Sequence, residues 1–306
     1  MEVILHVGAH RTSTTSFQQT LRQNRNKLIK NGIEFWGPRE TRGGRFDGLA
    51  RPTDTEDWDT ERRIGRSRGA IRMELERFAK KGRKTLLVSE ENMMGTIRAN
   101  LRTGSLYADI ETRLARFRHV FGDTCRRVGL AVRPYEEFWA SSMAYAIPQG
   151  HRAFGEDDLD RLVTHPRGWR DVIRDAARAF DGAEIVVWEF SRLAGRSPAQ
   201  LRLLMNGRGA PVPWFAPSRI HANRAPAPAA LREVLKNRGE DADAPGLGET
   251  DACFMPFGAH HLAAMHDKYR EDLEWLRGVS GTGVAFVEPG ADDRGQRGIA
   301  GKRGVG

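Results

Sequence analysis

The stretch VILHVGAHRTSTTSFQQTL, residues 3–21, decides how this chain is read. Its apolar start reads as a buried strand, Gly8 opens a short polar turn, and an amphipathic helix follows from Thr14. Strand, glycine turn and helix in this order outline a phosphate-binding loop. In the pattern G-x-x-x-x-G-K-[ST], backbone N–H groups surround phosphates and the Lys reaches the β/γ groups. Here Gly8 is the first glycine, Ser13 replaces the second, Thr14 stands in the Lys position and Thr15 keeps the hydroxyl. The cation sits instead at Arg11, on the preceding turn. The anion-binding parts remain: amides at a helix N-terminus and the hydroxyls of Thr12, Ser13, Thr14, Thr15 and Ser16. A phosphate that belongs to a leaving group suits such a loop better than a γ-phosphate gripped by Lys and magnesium.

Working outward, residues 14–31 are expected to be one helix and 37–60, rich in Gly, Pro, Arg and Asp, a long loop. Loops of that length are often functional. Residues 61–84 carry many arginines, with Ile64, Ile71, Leu75 and Phe78 near helical spacing, so a helix with a solvated basic face is expected. Three more strands follow, KTLLVSEE, RRVGLAVRP and AEIVVWEF, separated by helices at 108–121, from Tyr135, and at 169–180. Strands alternating with helices predict an α/β fold, a parallel central sheet flanked by helices. Beyond Arg196 the pattern is helical and irregular, with a last helix at 260–279. Residues 1–289 read as a single domain, and residues 290–306, without apolar periodicity, as a disordered tail.

Composition sets the outer bounds. The 306 residues are 39% hydrophobic and 29% charged, ordinary for a globular chain with a sizeable core. No run approaches the roughly 20 apolar residues of a membrane span. The opening strand begins almost at Met1, with no basic leader or cleavage site, and Cys125 and Cys253 lack metal-ligand spacing. A reduced, cytoplasmic protein without a metal site is expected. The formal charge of +9 and pI near 10.0 point to an anionic partner. The basic run lacks interleaved aromatics, which argues against nucleic acid.

HVGAHRTSTTSFQQTL resembles the 5′-phosphosulfate-binding loop of sulfotransferases in its bacterial form, G-x-H-K-T-G-T-T-S. These enzymes use 3′-phosphoadenosine 5′-phosphosulfate (PAPS) as sulfuryl donor and release 3′-phosphoadenosine 5′-phosphate (PAP). A second family motif, a strand-end Arg followed eight residues later by a helical Ser, is matched by Arg133 and Ser141 in GLAVRPYEEFWASSMAY. In the family this pair holds the 3′-phosphate. The spacing has a physical basis, because a strand-end Arg faces the carboxyl edge of a parallel sheet and a Ser two turns into the next helix returns to the same crevice. KTLLVSEENM, HANRAPAPAALREVL and LAAMHDKYREDLEWL are looser likenesses. The resemblance spans residues 2–278 and implies a P-loop NTPase-like sulfotransferase fold. It also implies that Arg11 replaces the family's Lys as stabiliser of the leaving phosphate oxygen, and that Ser13 replaces its Gly. If position 13 must be left-handed, the serine strains the loop by about 1–3 kcal/mol.

The implied activity is transfer of a sulfuryl group from PAPS to a hydroxyl or amine of a small-molecule or glycan acceptor. Arg11, Thr12, Ser13, Thr14, Thr15, Ser16, Arg133 and Ser141 would bind the donor. Glu90, at the end of LLVSEE, is the first candidate for general base. Glu91 and His10 are alternatives, and strand alternation lets only one of the two glutamates face the cleft. His6, inside the strand, reads as a satisfied core residue. Two other readings stay open: a small-molecule phosphotransferase, and a non-catalytic nucleotide- or nucleic-acid-binding module.

Overall fold

The computed structural model describes residues 1–50, 58–205, 211–213, 215, 225–248, 253–279 and 281–288. The expected tail at 290–306 lies outside the described residues. Among the described residues six strands form one sheet: β1 (Glu2–His6), β2 (Ile33–Trp36), β3 (Thr85–Ser89), β4 (Cys125–Val132), β5 (Glu184–Glu189) and β6 (Val284–Phe286). Their order is β2-β3-β1-β4-β5-β6, and every neighbouring pair is parallel. The expected α/β architecture, a parallel sheet flanked by helices, is therefore present.

Alternation along the strands divides the core into two layers. Ile4, Leu87, Ala131 and Val186 face one side, where they meet Phe17 and Leu21 of α1 (Thr14–Gln23), Leu28 of α2 (Arg25–Lys30) and Leu201 and Leu204 of the helix at Ser197–Met205. Val3, Leu5, Val88, Leu130 and Val187 face the other. There they pack with α3 (Trp58–Lys80), α4 (Ile97–Thr103), α5 (Ile110–Phe121), α6 (Tyr135–Ala146), α7 (Glu156–Thr164) and α8 (Trp169–Ala179). With α9 as the Ser197–Met205 helix, α10 is Pro228–Asn237 and α11 is Ala259–Gly278. Both faces of the sheet are covered, which is why the strands read as nearly continuous apolar runs. None of the described helices is long and apolar enough to cross a membrane.

Three expectations need correction. The helix expected at 14–31 is two helices, because Asn24 leaves helical geometry (φ −102°, ψ 16°) and serves as the last cap of α1 and the first of α2. Strands β2 and β6 escaped the sequence reading; with four and three residues they are too short to show a period. The long loop expected at 37–60 contains helical structure: its described part makes a helical turn at Pro38–Glu40 and a wider one at Thr41–Arg45, and α3 begins within it. The basic helix itself matches its expectation, with Ile71 and Phe78 buried and Arg62, Arg66 and Arg72 exposed.

Chain direction places a crevice at the carboxyl edge of the sheet. From β1 the chain runs toward β2 and β3 on one side, and from β4 toward β5 and β6 on the other. The adjacent strands β1 and β4 thus send their carboxyl-end connections apart, leaving the crevice at which ligands of open parallel sheets bind.

Candidate functional site

A cavity of about 630 Å³ opens at this crevice. The loop after β1 forms its floor. Val7 and Gly8 donate their N–H groups to the Gly129 carbonyl of β4 (3.1 and 3.3 Å), so the loop is moored to the neighbouring strand. Gly8 has φ +47°, and a Cβ there would stand 2.9 Å from Thr14 Oγ1; only glycine fits. Arg11 (φ +65°) and Ser13 (φ +59°) also lie in the left-handed region. Ser13 is the residue that starts α1, whose first turn reaches the cavity through Thr14, Thr15 and Ser16.

Arg11 and Arg133 meet over this floor. Arg11 Nε donates to Ser141 Oγ of α6 at 2.9 Å, and its guanidinium carbon lies 5.3 Å from the Tyr145 ring centroid. Arg133 Nη1 donates to the Arg11 carbonyl at 2.6 Å, Nε donates to Glu137 at 3.1 Å, and the guanidinium lies over Phe190. Burial, and then the charge of Arg133, lower the pKa of Arg11. Two cations drawn together at a half-buried site are favourable to an anion. The mooring of Arg133 is rigid: Trp169 Nε1 donates to its carbonyl at 2.8 Å, while Tyr135, at the start of α6, hydrogen-bonds Asp272 of α11.

Of the eight residues assigned to donor binding, seven line the cavity and Thr12 does not. The Thr12 hydroxyl turns inward and donates to the Ala9 carbonyl at 2.6 Å, which stabilises the turn instead. Glu90 is buried below the cavity wall. Its carboxylate accepts from Arg42 Nε and Nη2 (3.0 and 2.7 Å), Thr41 Oγ1 (2.6 Å) and the Asn92 N–H (3.1 Å). Glu91 is the glutamate that lines the cavity, where it accepts from Arg42 and from Gln18 of α1, each at 3.3 Å.

His10 lines the cavity and is held on three sides. Its backbone N–H donates to the Tyr107 hydroxyl (2.9 Å), Nδ1 lies 2.9 Å from the same oxygen, and Nε2 lies 3.2 Å from Asn92 Oδ1. The consistent tautomer has Tyr107 donating to Nδ1 and Nε2–H donating to Asn92. Burial lowers the His10 pKa, against the opposing pull of Glu91 and of the hydrogen bond to Asn92. His6 is a satisfied core residue, with Nδ1 on Ser89 Oγ (2.8 Å) and Nε2 accepting from Gln200 (3.0 Å); burial pushes its pKa down to about 3.

Arg42, Asn92, Arg98 and Tyr145 also line the cavity, and Tyr107 braces its loop, yet none stood out in the sequence. Arg42 carried an indirect signal, its place in the long segment at 37–60. For Tyr107, held at φ +45°, the sequence offers none. Elsewhere Asp160, His260 and His261 bring metal-ligand-type atoms within 4.8 Å of one another. His261 Nδ1 accepts the Gly258 N–H (3.3 Å), so Nε2 carries the proton it donates to Asp160 (2.8 Å). That pair caps α11 and offers a cation no lone pair at Nε2. Comparison with protein-family models, curated proteins and solved structures found no match to this chain.

Proposed function

We propose that this protein is a PAPS-dependent sulfotransferase of the P-loop-like type, acting on a hydroxyl or amine of a small-molecule or glycan acceptor. The observation that carries the reading is the meeting of Arg11, Ser141 and Arg133. They come from the loop after β1, from α6 and from the end of β4, yet are joined by bonds of 2.9 and 2.6 Å at one crevice. The two phosphate-bearing ends of the donor call for two adjacent cationic positions. The first turn of α1 with Arg11 suits the 5′-phosphosulfate, and Arg133 with Ser141 suits the 3′-phosphate.

In the reaction the acceptor oxygen or nitrogen forms a bond to sulfur as the bond from sulfur to the 5′-phosphate oxygen breaks. The electron pair stays on that phosphate oxygen, where Arg11 and the amides of α1 stabilise the growing charge. The proton lost by the acceptor passes to a carboxylate. Glu91 fills this role better than Glu90, because it lines the cavity and its two long hydrogen bonds leave acceptor capacity, whereas Glu90 is committed to four shorter donors. Positioning and charge stabilisation carry most of the acceleration.

Thermal unfolding with added nucleotides tests the assignment. PAP at about 100 times its Kd should stabilise the protein by about 2.7 kcal/mol. The same concentration of 5′-AMP, lacking the 3′-phosphate, should do much less. Equal shifts with PAP and 5′-AMP contradict the Arg133–Ser141 pocket, and a larger shift with ATP and magnesium favours the phosphotransferase reading.

A further inference from the structure

The basic helix α3 buries one face and leaves the other bare. Thr60, Ser67, Ile71 and Phe78 turn to the core. On the opposite face stand Trp58, Arg62, Gly65, Gly69, Met73 and Glu76, all exposed. Trp58 and Met73, 74% and 72% exposed, are the most exposed large apolar side chains among the described residues. Between them lie Gly65 and Gly69, and a Cβ added at either would meet nothing within 4 Å. Neither has a positive φ, so nothing among the described residues calls for glycine at these positions. Each costs a helix interior about 1 kcal/mol relative to Ala. A shallow notch of two glycines one turn apart, flanked by exposed Met73 and by exposed Trp58, whose ring has the Arg62 guanidinium 5.5 Å from its centroid, admits the close approach of another helix.

The charges on this face indicate which helix. Arg62 and Glu76 stand seven residues before and after Gly69, Gly65 and Met73 four residues, and Trp58 and Lys80 eleven residues. Equal spacing along a helix is equal height along its axis. When two copies of α3 cross antiparallel about a two-fold axis at Gly69, each Arg62 comes level with the other copy's Glu76. Each Met73 then comes to the notch at Gly65, and each Lys80 ammonium to a Trp58 ring. Every contact occurs twice, as a self-complementary two-fold interface requires. Arg62 meets Glu76, a cation meets an aromatic face, and a large side chain meets a small one, while exposed Arg66 and Arg72, also level with each other, stay on opposite flanks of the contact, about 60° to either side of Gly69. We propose that the bare face of α3 is a homodimer interface, occupied by α3 of a second copy of this chain.

Sedimentation velocity of the full chain over a concentration series tests this, with circular dichroism to confirm that each variant is folded. The wild-type chain should dimerise reversibly. Gly69→Glu raises helix propensity, so the fold is safe, but it places bulk and like charge on the two-fold axis and should abolish the dimer. Arg62→Glu and Glu76→Arg should each weaken dimerisation by about tenfold or more, and the double reversal should restore it. The proposal is overturned if the wild-type chain stays monomeric throughout, whether or not the basic face binds an added polyanion. It is equally overturned by a dimer indifferent to Gly69→Glu, or by a double reversal no better than its parents.

Discussion

Ser13 begins α1 with φ +59° and ψ 22°, a conformation that glycine adopts without cost and a serine does not. Nothing in its own side chain offsets this through a cap, since it makes no capping hydrogen bond to the helix. The strain is stored beside Arg11, itself at φ +65°, in the loop that would hold the 5′-phosphate. Strained backbone at such a place holds amides in a fixed array, and here the array is kept by the bond from Arg133 and the anchors on Gly129. Ser13→Gly should therefore stabilise the free protein by about 0.5–1 kcal/mol, measured by denaturant unfolding, with PAP affinity unchanged or improved. A loss of stability would mean that the serine hydroxyl contributes more than its backbone costs. The need for a left-handed residue at position 13 was foreseeable from the glycine in the resembling loop. The same geometry at Arg11 was not, because nothing in the local residue order marks it.

At the scale of elements, the end of β3 shows how one position separates a buried, fully engaged carboxylate from one that lines the cavity. Glu90 closes the strand with its side chain accepting the Asn92 N–H as a cap, and the turn at Thr41–Arg45 comes over to pair with it. Glu91 stands one residue on and faces the cavity. Glu90→Gln sets an amide N–H₂ against a cluster of donors, so it should cost about 1–3 kcal/mol of stability, moderated because Arg42 is half exposed. Glu91→Gln should leave stability and PAP affinity nearly intact and lower the single-turnover rate by about 10²–10⁴, the range for loss of a general base. A stable Glu90→Gln with a collapsed rate would reverse the two roles. Sequence reasoning narrowed the base to this pair and His10 and put Glu90 first. It placed the wrong glutamate at the cavity, because Arg42 and Thr41, which engage Glu90, lie nearly fifty residues upstream in a segment without a readable period.

Across the whole molecule, the site exists because β1 and β4 are neighbours whose connections diverge. Arg133, which follows β4, crosses that crevice to the Arg11 carbonyl, 122 residues away in sequence. Arg133→Ala should weaken PAP binding by about 1.5–3 kcal/mol, read by titration calorimetry. It should weaken 5′-AMP binding less, through slackening of the Arg11 loop alone. Equal losses for the two nucleotides would make Arg133 a brace of the loop without a part in holding the 3′-phosphate. The chain's local patterns by themselves determined that β1, β3, β4 and β5 alternate with helices in a parallel sheet, that a glycine turn and a helix follow β1, and that Arg133 and Ser141 belong on a strand end and the next helix. Those features are local, set by apolar period, turn chemistry and spacing within about twenty residues. Only the tertiary structure decided that Glu91 and not Glu90 lines the cavity, that Thr12 turns away from it, that Tyr107 and Asn92 hold His10, and that Arg42 reaches the end of β3. These outcomes depend on side chains from distant segments competing for the same buried hydrogen bonds, and that competition has no signature in the order of residues along one strand or helix.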